Sequence, residues 1–191
     1  MSSWEECHQL MQNFNDHYSL LEPHHKMIYD LASQIAPGGV AFEIGVCNGR
    51  TAALLGYCAR EFGFEAHGVD PFILEGNPSE IQRKLNQLNL NYQIHVTRSN
   101  DLEWNKPLDL LLIDGDHSDP AVTHDCRKWL PFVKIGGFVI LDDYNADYHT
   151  YECPHHAICR WVNKLLEHPS WQSLNRDRVM IFKKVQEYQP E

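Results

Sequence analysis

The feature that most restricts the fold is a series of short apolar runs, each separated from the next by a stretch with helical spacing. Residues 40–46, 66–69, 92–97, 108–113 and 138–141 read as strands, and 50–62, 79–89, 119–132 and 154–167 as helices. Several of the runs are apolar at nearly every position, as in Leu110-Leu111-Leu112-Ile113. A strand needs that when helices cover both faces of its sheet. The alternation predicts an α/β fold with a doubly wound, mostly parallel sheet and right-handed crossovers. A last run, 178–184, alternates polar and apolar and follows 171–175, which predicts a terminal antiparallel hairpin and seven strands in all. Ahead of the first strand, residues 3–35 predict two helical pieces broken near Glu22-Pro23. Met27, Ile28, Leu31 and Ile35 would face a core, and Pro37-Gly38-Gly39 would end the second piece.

No repeat and no Gly/Ser/Pro-rich linker divides the 191 residues, so they are expected to form one domain. Within it, 1–36 would be N-terminal helices, 37–145 the core, and 146–191 a helix and hairpin. Asp and Glu outnumber Lys and Arg by 26 to 16, a formal charge of -10. Such a surface repels phosphate backbones and anionic lipid, so neither nucleic acid nor membrane is an expected partner. Small neutral or cationic substrates fit better. The six cysteines are scattered without a Cys-x-x-Cys pair, the pattern of reduced thiols in a cytoplasmic protein. Residues 1–10 lack the apolar stretch of a signal peptide, and no apolar run approaches the length of a bilayer span. A homodimer is expected only on the general frequency of such assemblies.

The segment Phe42-Glu43-Ile44-Gly45-Val46-Cys47-Asn48-Gly49-Arg50-Thr51 runs from a strand into a helix. Gly45 would allow a tight turn, and Gly49 a close approach of backbone to ligand. A pyrophosphate-binding turn needs a second glycine where this chain has Cys47, which argues against a dinucleotide. The next strand ends at Gly68-Val69-Asp70, about twenty residues on, where an acidic side chain can accept both hydroxyls of a ribose. A nucleoside ligand is therefore expected.

Glu-x-Gly-x-x-x-Gly-x-Thr followed by Gly-Val-Asp resembles the first two motifs of class I S-adenosylmethionine-dependent methyltransferases. Residues 40–144 are similar to small-molecule O-methyltransferases of the macrolide-sugar and catechol type, and this similarity implies a Rossmann-like fold. It also implies that Glu43, Gly45 and Gly49 line the methionine and ribose end of S-adenosylmethionine and that Asp70 holds the ribose hydroxyls. Ser99 and Asn100 match the position that contacts adenine, although Ser-Asn-Asp after a strand is also an ordinary turn or helix cap.

Two apolar strands end in carboxylates: Ile113-Asp114-Gly115-Asp116-His117 and Leu141-Asp142-Asp143-Tyr144. The spacing between them accommodates one crossover helix. If the strands are neighbours, their ends lie about 4.8 Å apart. Like charges at 4 Å repel by about 4 kcal/mol at an effective dielectric of 20, so a cation, a proton or solvent must relieve the cluster. All-oxygen donors favour a hard ion such as Mg²⁺ or Mn²⁺. The resemblance places that metal on Asp114, Asp142 and Asp143, with Asp114 also near the cofactor.

A metal-bound substrate hydroxyl would lose its proton to a base and attack the sulfonium methyl in line. Two residues compete for the base. His117 has an unperturbed pKa near 6.5 and matches the base position of the resembling enzymes, while Asp116 is as close in sequence. A third reading has His117 capping the helix that begins near Asp119. Cys153-Pro154-His155-His156 with Cys159 fits no common zinc spacing. His24-His25 reads as a solvated helix start, Trp129 and Trp161 as core, and Arg50 as either a surface ion pair or a contact to a cofactor carboxylate. The leading function is O-methyl transfer to a small hydroxylated molecule. A metal-independent N- or C-methyltransferase and a non-catalytic S-adenosylmethionine binder are the alternatives.

Overall fold

The computed structural model describes residues 3–14, 20, 22–144, 156–175 and 177–189, without the side chains of Glu22 and His156. It divides into two compact units, Met1–Leu102 and Glu103–Glu191. The first contains α1 (Trp4–Met11), α2 (Glu22–Ala32), β1 (Val40–Ile44), α3 (Arg50–Phe62), β2 (Glu65–Val69), α4 (Pro78–Gln87) and β3 (Gln93–His95). The second contains β4 (Leu108–Ile113), α5 (Asp119–Trp129), a 3₁₀ turn (Leu130–Phe132), β5 (Val133–Leu141), α6 (His156–Glu167), β6 (Trp171–Ser173) and β7 (Met180–Lys184). Strand order is β3-β2-β1 in the first unit and β4-β5-β7-β6 in the second. These seven strands make the mostly parallel sheet of a Rossmann-like fold, with a terminal antiparallel hairpin.

In the first unit β1 is buried at every position and pairs in parallel with β2, from Val40↔Glu65 to Ile44↔Val69. α3 supplies the matching apolar layer through Ala52, Ala53, Leu54, Leu55 and Cys58, and ends at Gly63 in the left-handed conformation. α1 starts where the Ser3 side chain accepts from the Glu6 N–H, a cap worth about 1 kcal/mol. It lies against α3, where the Tyr57 hydroxyl accepts from the Ser3 N–H at 3.2 Å and donates to Glu6 Oε2 at 3.1 Å. On α2, Ile28, Leu31 and Ala32 are buried, and Tyr29 packs edge-on to Phe62.

In the second unit β4 is wholly buried and pairs in parallel with β5, Leu110↔Phe138 through Ile113↔Leu141. β5 begins at Val133, earlier than the expected start at 138, because the strand passes through Gly136-Gly137. Those glycines hide it from an apolar-pattern reading. Gly136 has φ +89, and a Cβ on Gly137 would sit 3.0 Å from the carbonyls of Leu108, Asp109 and Lys134. β7 returns antiparallel on β5 and pairs with β6 to form the expected hairpin. α5 and α6 pack through core tryptophans: Trp129 and Trp161 are buried, and Trp161 Nε1 donates to Thr123 Oγ1 at 3.1 Å. Among the described residues no helix is long and apolar enough to cross a membrane.

Candidate active-site clusters

The first cluster forms where β1 gives way to α3. Gly45 (φ +96) turns the chain and its N–H donates to the Val69 carbonyl at 3.0 Å. Cys47 is left-handed at φ +48 although it is not a glycine, and Gly49 (φ +83) precedes the first helical residue, Arg50. Asp70 holds this turn from the end of β2. Its Oδ2 accepts from the Cys47 N–H at 2.9 Å and its Oδ1 from the Phe72 N–H at 2.6 Å. Each carboxylate oxygen keeps a second lone pair for a ligand hydroxyl. The segment after Asp70 is fastened to the same turn: Asn48 Nδ2 donates to Glu75 Oε2 at 3.0 Å, and a Cβ on Gly76 would stand 2.1 Å from the Cys47 carbonyl oxygen.

The surroundings of Gly49, Glu43 and the His24-His25 pair follow from the same packing. A Cβ on Gly49 would meet Ile81 at 2.6 Å and Phe14 at 3.2 Å, so side chains of its own unit require a glycine there. Glu43 is only 2% exposed, and its carboxylate accepts from the Tyr92 hydroxyl at 2.6 Å. Tyr92 was not singled out in the sequence; the readable sign was Gly68, where a Cβ would fall 1.8 Å from that hydroxyl. Burial first, then the Glu43 charge, raise the Tyr92 phenol well above its usual range, so it remains a donor. One sequence expectation is corrected: His24 and His25 are buried rather than solvated, at 5% and 2% exposure. Ser99 and Asn100 occupy a turn after β3 that the Asp101 N–H closes on the Arg98 carbonyl at 3.0 Å.

The second cluster stands at the ends of β4 and β5. Their register puts Asp114 and Asp142 side by side, and the Asp142 N–H donates to the Ile113 carbonyl at 3.3 Å. Asp143 is left-handed at φ +60. His117 joins the carboxylates: Nδ1 is 3.2 Å from Asp143 Oδ2 and Nε2 is 3.7 Å from Asp114 Oδ1. Asp116 does not join them. It is exposed and accepts from the Ser118 N–H at 2.9 Å, so Asp116, not His117, shapes the turn that leads into α5.

Arg178, just before β7, completes the cluster and was not anticipated. Its Nε donates to Asp143 Oδ1 at 2.8 Å and its Nη2 is 3.5 Å from Asp142 Oδ2. Only position in the final hairpin, opposite the end of β5, could have signalled it. Burial would lower the His117 pKa, but hydrogen bonds and charge from Asp114 and Asp143 outweigh it and raise the imidazole to about 10. Burial, then the Asp114 charge, push Asp142 up to about 7, and burial raises Asp114 against the pull of His117.

Three carboxylates thus face two cations, and Asp142 Oδ1 is buried without a hydrogen-bond partner. That orphaned oxygen and the all-oxygen donor set suit a hard divalent ion in chemistry. In geometry they are not a ready cage, since no group of three or more ligand side chains among the described residues is arranged to hold a metal. Arg178 already pairs with two of the three carboxylates, Asp142 and Asp143. Cys153 and His155 lie outside the described residues, as does the His156 side chain, so the sulfur–imidazole run has no structural counterpart here.

Comparison with known proteins adds the following. A family profile described as a methyltransferase domain matches residues 42–144, more than half of the chain. An uncharacterized protein of Acanthamoeba polyphaga mimivirus is 30% identical over 88 residues, 40% of this chain and 39% of that protein. The chain therefore matches about two fifths of that curated relative's length. Among solved structures, an rRNA methylase from Streptococcus thermophilus superposes with TM-score 0.64 at 14% identity, covering 84% of this chain and 95% of that one. A methyltransferase from Podospora anserina, solved with S-adenosylhomocysteine bound, gives 0.65 at 14% identity over 95% and 87%. A Staphylococcus aureus protein described as a caffeoyl-CoA O-methyltransferase gives 0.64 at 14% over 97% and 93%. At such identities these structures speak to the fold.

Proposed function

Because this chain belongs to the methyltransferase-domain family, with the fold of class I S-adenosylmethionine-dependent enzymes, we propose that it transfers the cofactor's methyl group to a hydroxyl of a small molecule. The observation that carries the choice of oxygen is His117, an imidazole held against Asp114 and Asp143 at the strand ends. In this reading Gly45 and Asp70 hold the nucleoside side of the cofactor, and Ser99 and Asn100 meet its adenine. Once His117 has given up the proton that Asp114 and Asp143 hold on it, the neutral ring takes the proton of the acceptor hydroxyl, the oxygen attacks the methyl carbon, and the carbon–sulfur bond breaks to leave S-adenosylhomocysteine. Asp114 and Asp143 stabilise the imidazolium that results. The sulfonium loses its charge along the way, so alignment and exclusion of water supply much of the acceleration. The net charge of -10 favours a small acceptor over RNA.

Asp114, Asp142 and Asp143 would hold Mg²⁺ or Mn²⁺, with the partnerless Asp142 Oδ1 as the group in most need of a cation. When bound, such an ion acts as a Lewis acid toward the acceptor oxygen. The experiment is a mass-spectrometric assay of methylated products from S-adenosylmethionine and a panel of hydroxylated compounds, run with EDTA and then with added Mg²⁺. Loss of transfer in EDTA and its return with Mg²⁺ are expected. Full activity in EDTA would remove the metal and leave Arg178 and His117 as the standing counter-ions. Methylation of RNA but of no small hydroxyl compound would overturn the acceptor class.

A further inference from the structure

The final hairpin carries a cation to the strand ends of the second unit. Met180 pairs with Leu141 in the antiparallel register, so Arg178 lies just past the end of β5, where its carbonyl accepts from the Tyr144 N–H at 2.8 Å. The backbone is fixed there, yet the side chain is 45% exposed, against 4% for that of Asp142. The guanidinium falls mainly on one oxygen. Nε at 2.8 Å and Nη2 at 2.6 Å both meet Asp143 Oδ1, while Nη2 reaches Asp142 Oδ2 only at 3.5 Å. A guanidinium binds a carboxylate best when two parallel N–H groups take two separate oxygens. Here the second oxygen of Asp143, Oδ2, faces His117 instead.

Asp142 is the group this arrangement serves poorly. It is 3% exposed, and its Oδ1 is buried with no hydrogen-bond partner. The parallel register sets the same carboxylate beside Asp114. A buried acceptor without a partner bears the full cost of its lost hydration, and a charged one bears more. Arginine does not lose its proton in proteins, so the carboxylates are released only when the side chain moves away. Its exposure leaves it free to do so. A hard divalent ion, by contrast, draws several oxygens to one point and completes its shell with water. Two cations sharing one pair of carboxylates repel each other.

We propose that Arg178 is the chain's own competitor for a divalent ion: it holds Asp142 and Asp143 in the metal-free protein and turns out to solvent as it yields them to Mg²⁺ or Mn²⁺. This role rests on the metal proposed above for Asp114, Asp142 and Asp143, and not on methyl transfer. Loading then works against a resident charge, and occupancy follows the concentration of free ion.

The test is calorimetric titration of Mn²⁺ into the full chain and into Arg178→Met and Arg178→Lys, with thermal unfolding as the check that each variant folds. Arg178→Met is expected to bind Mn²⁺ about tenfold more tightly, the worth of one charge-assisted hydrogen bond. Arg178→Lys restores the charge and falls back toward the wild type. The wild type supplies a second readout: the Nε–H signal of Arg178 in NMR shifts as Mg²⁺ is added, because that N–H leaves Asp143. If Arg178→Met does not fold, this signal decides. An arginine that only pins the hairpin would lower the melting temperature on replacement but move neither readout. Equal Mn²⁺ affinity in wild type and Arg178→Met, Mg²⁺ binding with the Nε–H signal unmoved, or no binding by any of the three chains at millimolar ion overturns the proposal. Neither measurement involves S-adenosylmethionine. Competition for the ion in a protein that methylates no hydroxyl compound therefore keeps this role of Arg178 and removes the O-methyl-transfer reading.

Discussion

His117 shows how far two carboxylates can move one imidazole. Burial alone would discharge it, yet Asp114 and Asp143 hold the ring near 10. A free histidine near 6.5 is half deprotonated close to neutral pH; this one is an imidazolium there and becomes a base only when its proton is drawn off or a second cation arrives. The sign follows: a raised folded pKa contributes stability in full below about 6.5, and that contribution is lost as pH rises through 10. In metal-free protein the His117 ring signals in NMR are expected to step near pH 10. A step near 6.5 would mean that the ion pairs with Asp114 and Asp143 do not persist in solution. In the assay above, His117→Ala should lower kcat by about 10²–10⁴-fold, with affinity for S-adenosylhomocysteine unchanged.

Among the elements, the segment from Asp70 to Gly76 and the glycine turn act as one piece, tied by Asp70, by Asn48 to Glu75, and by the close approach of Gly76 to Cys47. Gly76→Ala has no room for its Cβ and sits at φ +86, so the segment must lift from the turn. Affinity for S-adenosylhomocysteine is expected to fall about tenfold, at a cost of about 1.4 kcal/mol, read by calorimetry; unchanged affinity would show that the segment plays no part in holding the nucleoside. The strands, the final hairpin and the juxtaposition of Asp114 with Asp142 were all legible, because apolar runs and their acidic ends are local signals. Arg178 and Tyr92 were not, since each meets its carboxylate partner across a gap of 35 or more residues and neither stands in a motif. His24 and His25 were misjudged as solvated because burial is decided by packing, which spacing alone does not reveal.

At the scale of the whole molecule, an acidic chain keeps the His25 imidazole buried within the field of Arg50, and global stability should register it. The folded His25 lies at about 4, against 6.5 for an ordinary histidine. The unfolded chain therefore binds the extra proton first, and stability present above pH 6.5 is lost as pH falls toward 4. The shift corresponds to about 3 kcal/mol at most. Urea unfolding of wild type and His25→Gln at pH 7 and pH 4.5 should show the wild type losing more stability between the two. An equal loss in both would mean that His25 titrates normally.

The placement of Arg178 also bears on the order in which the chain becomes a protein. During synthesis Asp142 and Asp143 leave the ribosome before the arginine that will neutralise them, and 35 residues separate Asp143 from Arg178. β5 must wait as long for its antiparallel partner β7. Until then the nascent chain carries a charged, half-paired strand end, the sort of exposed segment that invites chaperone binding and mispairing. The last hairpin thus serves as the latch of biosynthesis: its arrival closes an open strand edge and adds Arg178 to His117 as a counter-charge for the acidic pair in the same step.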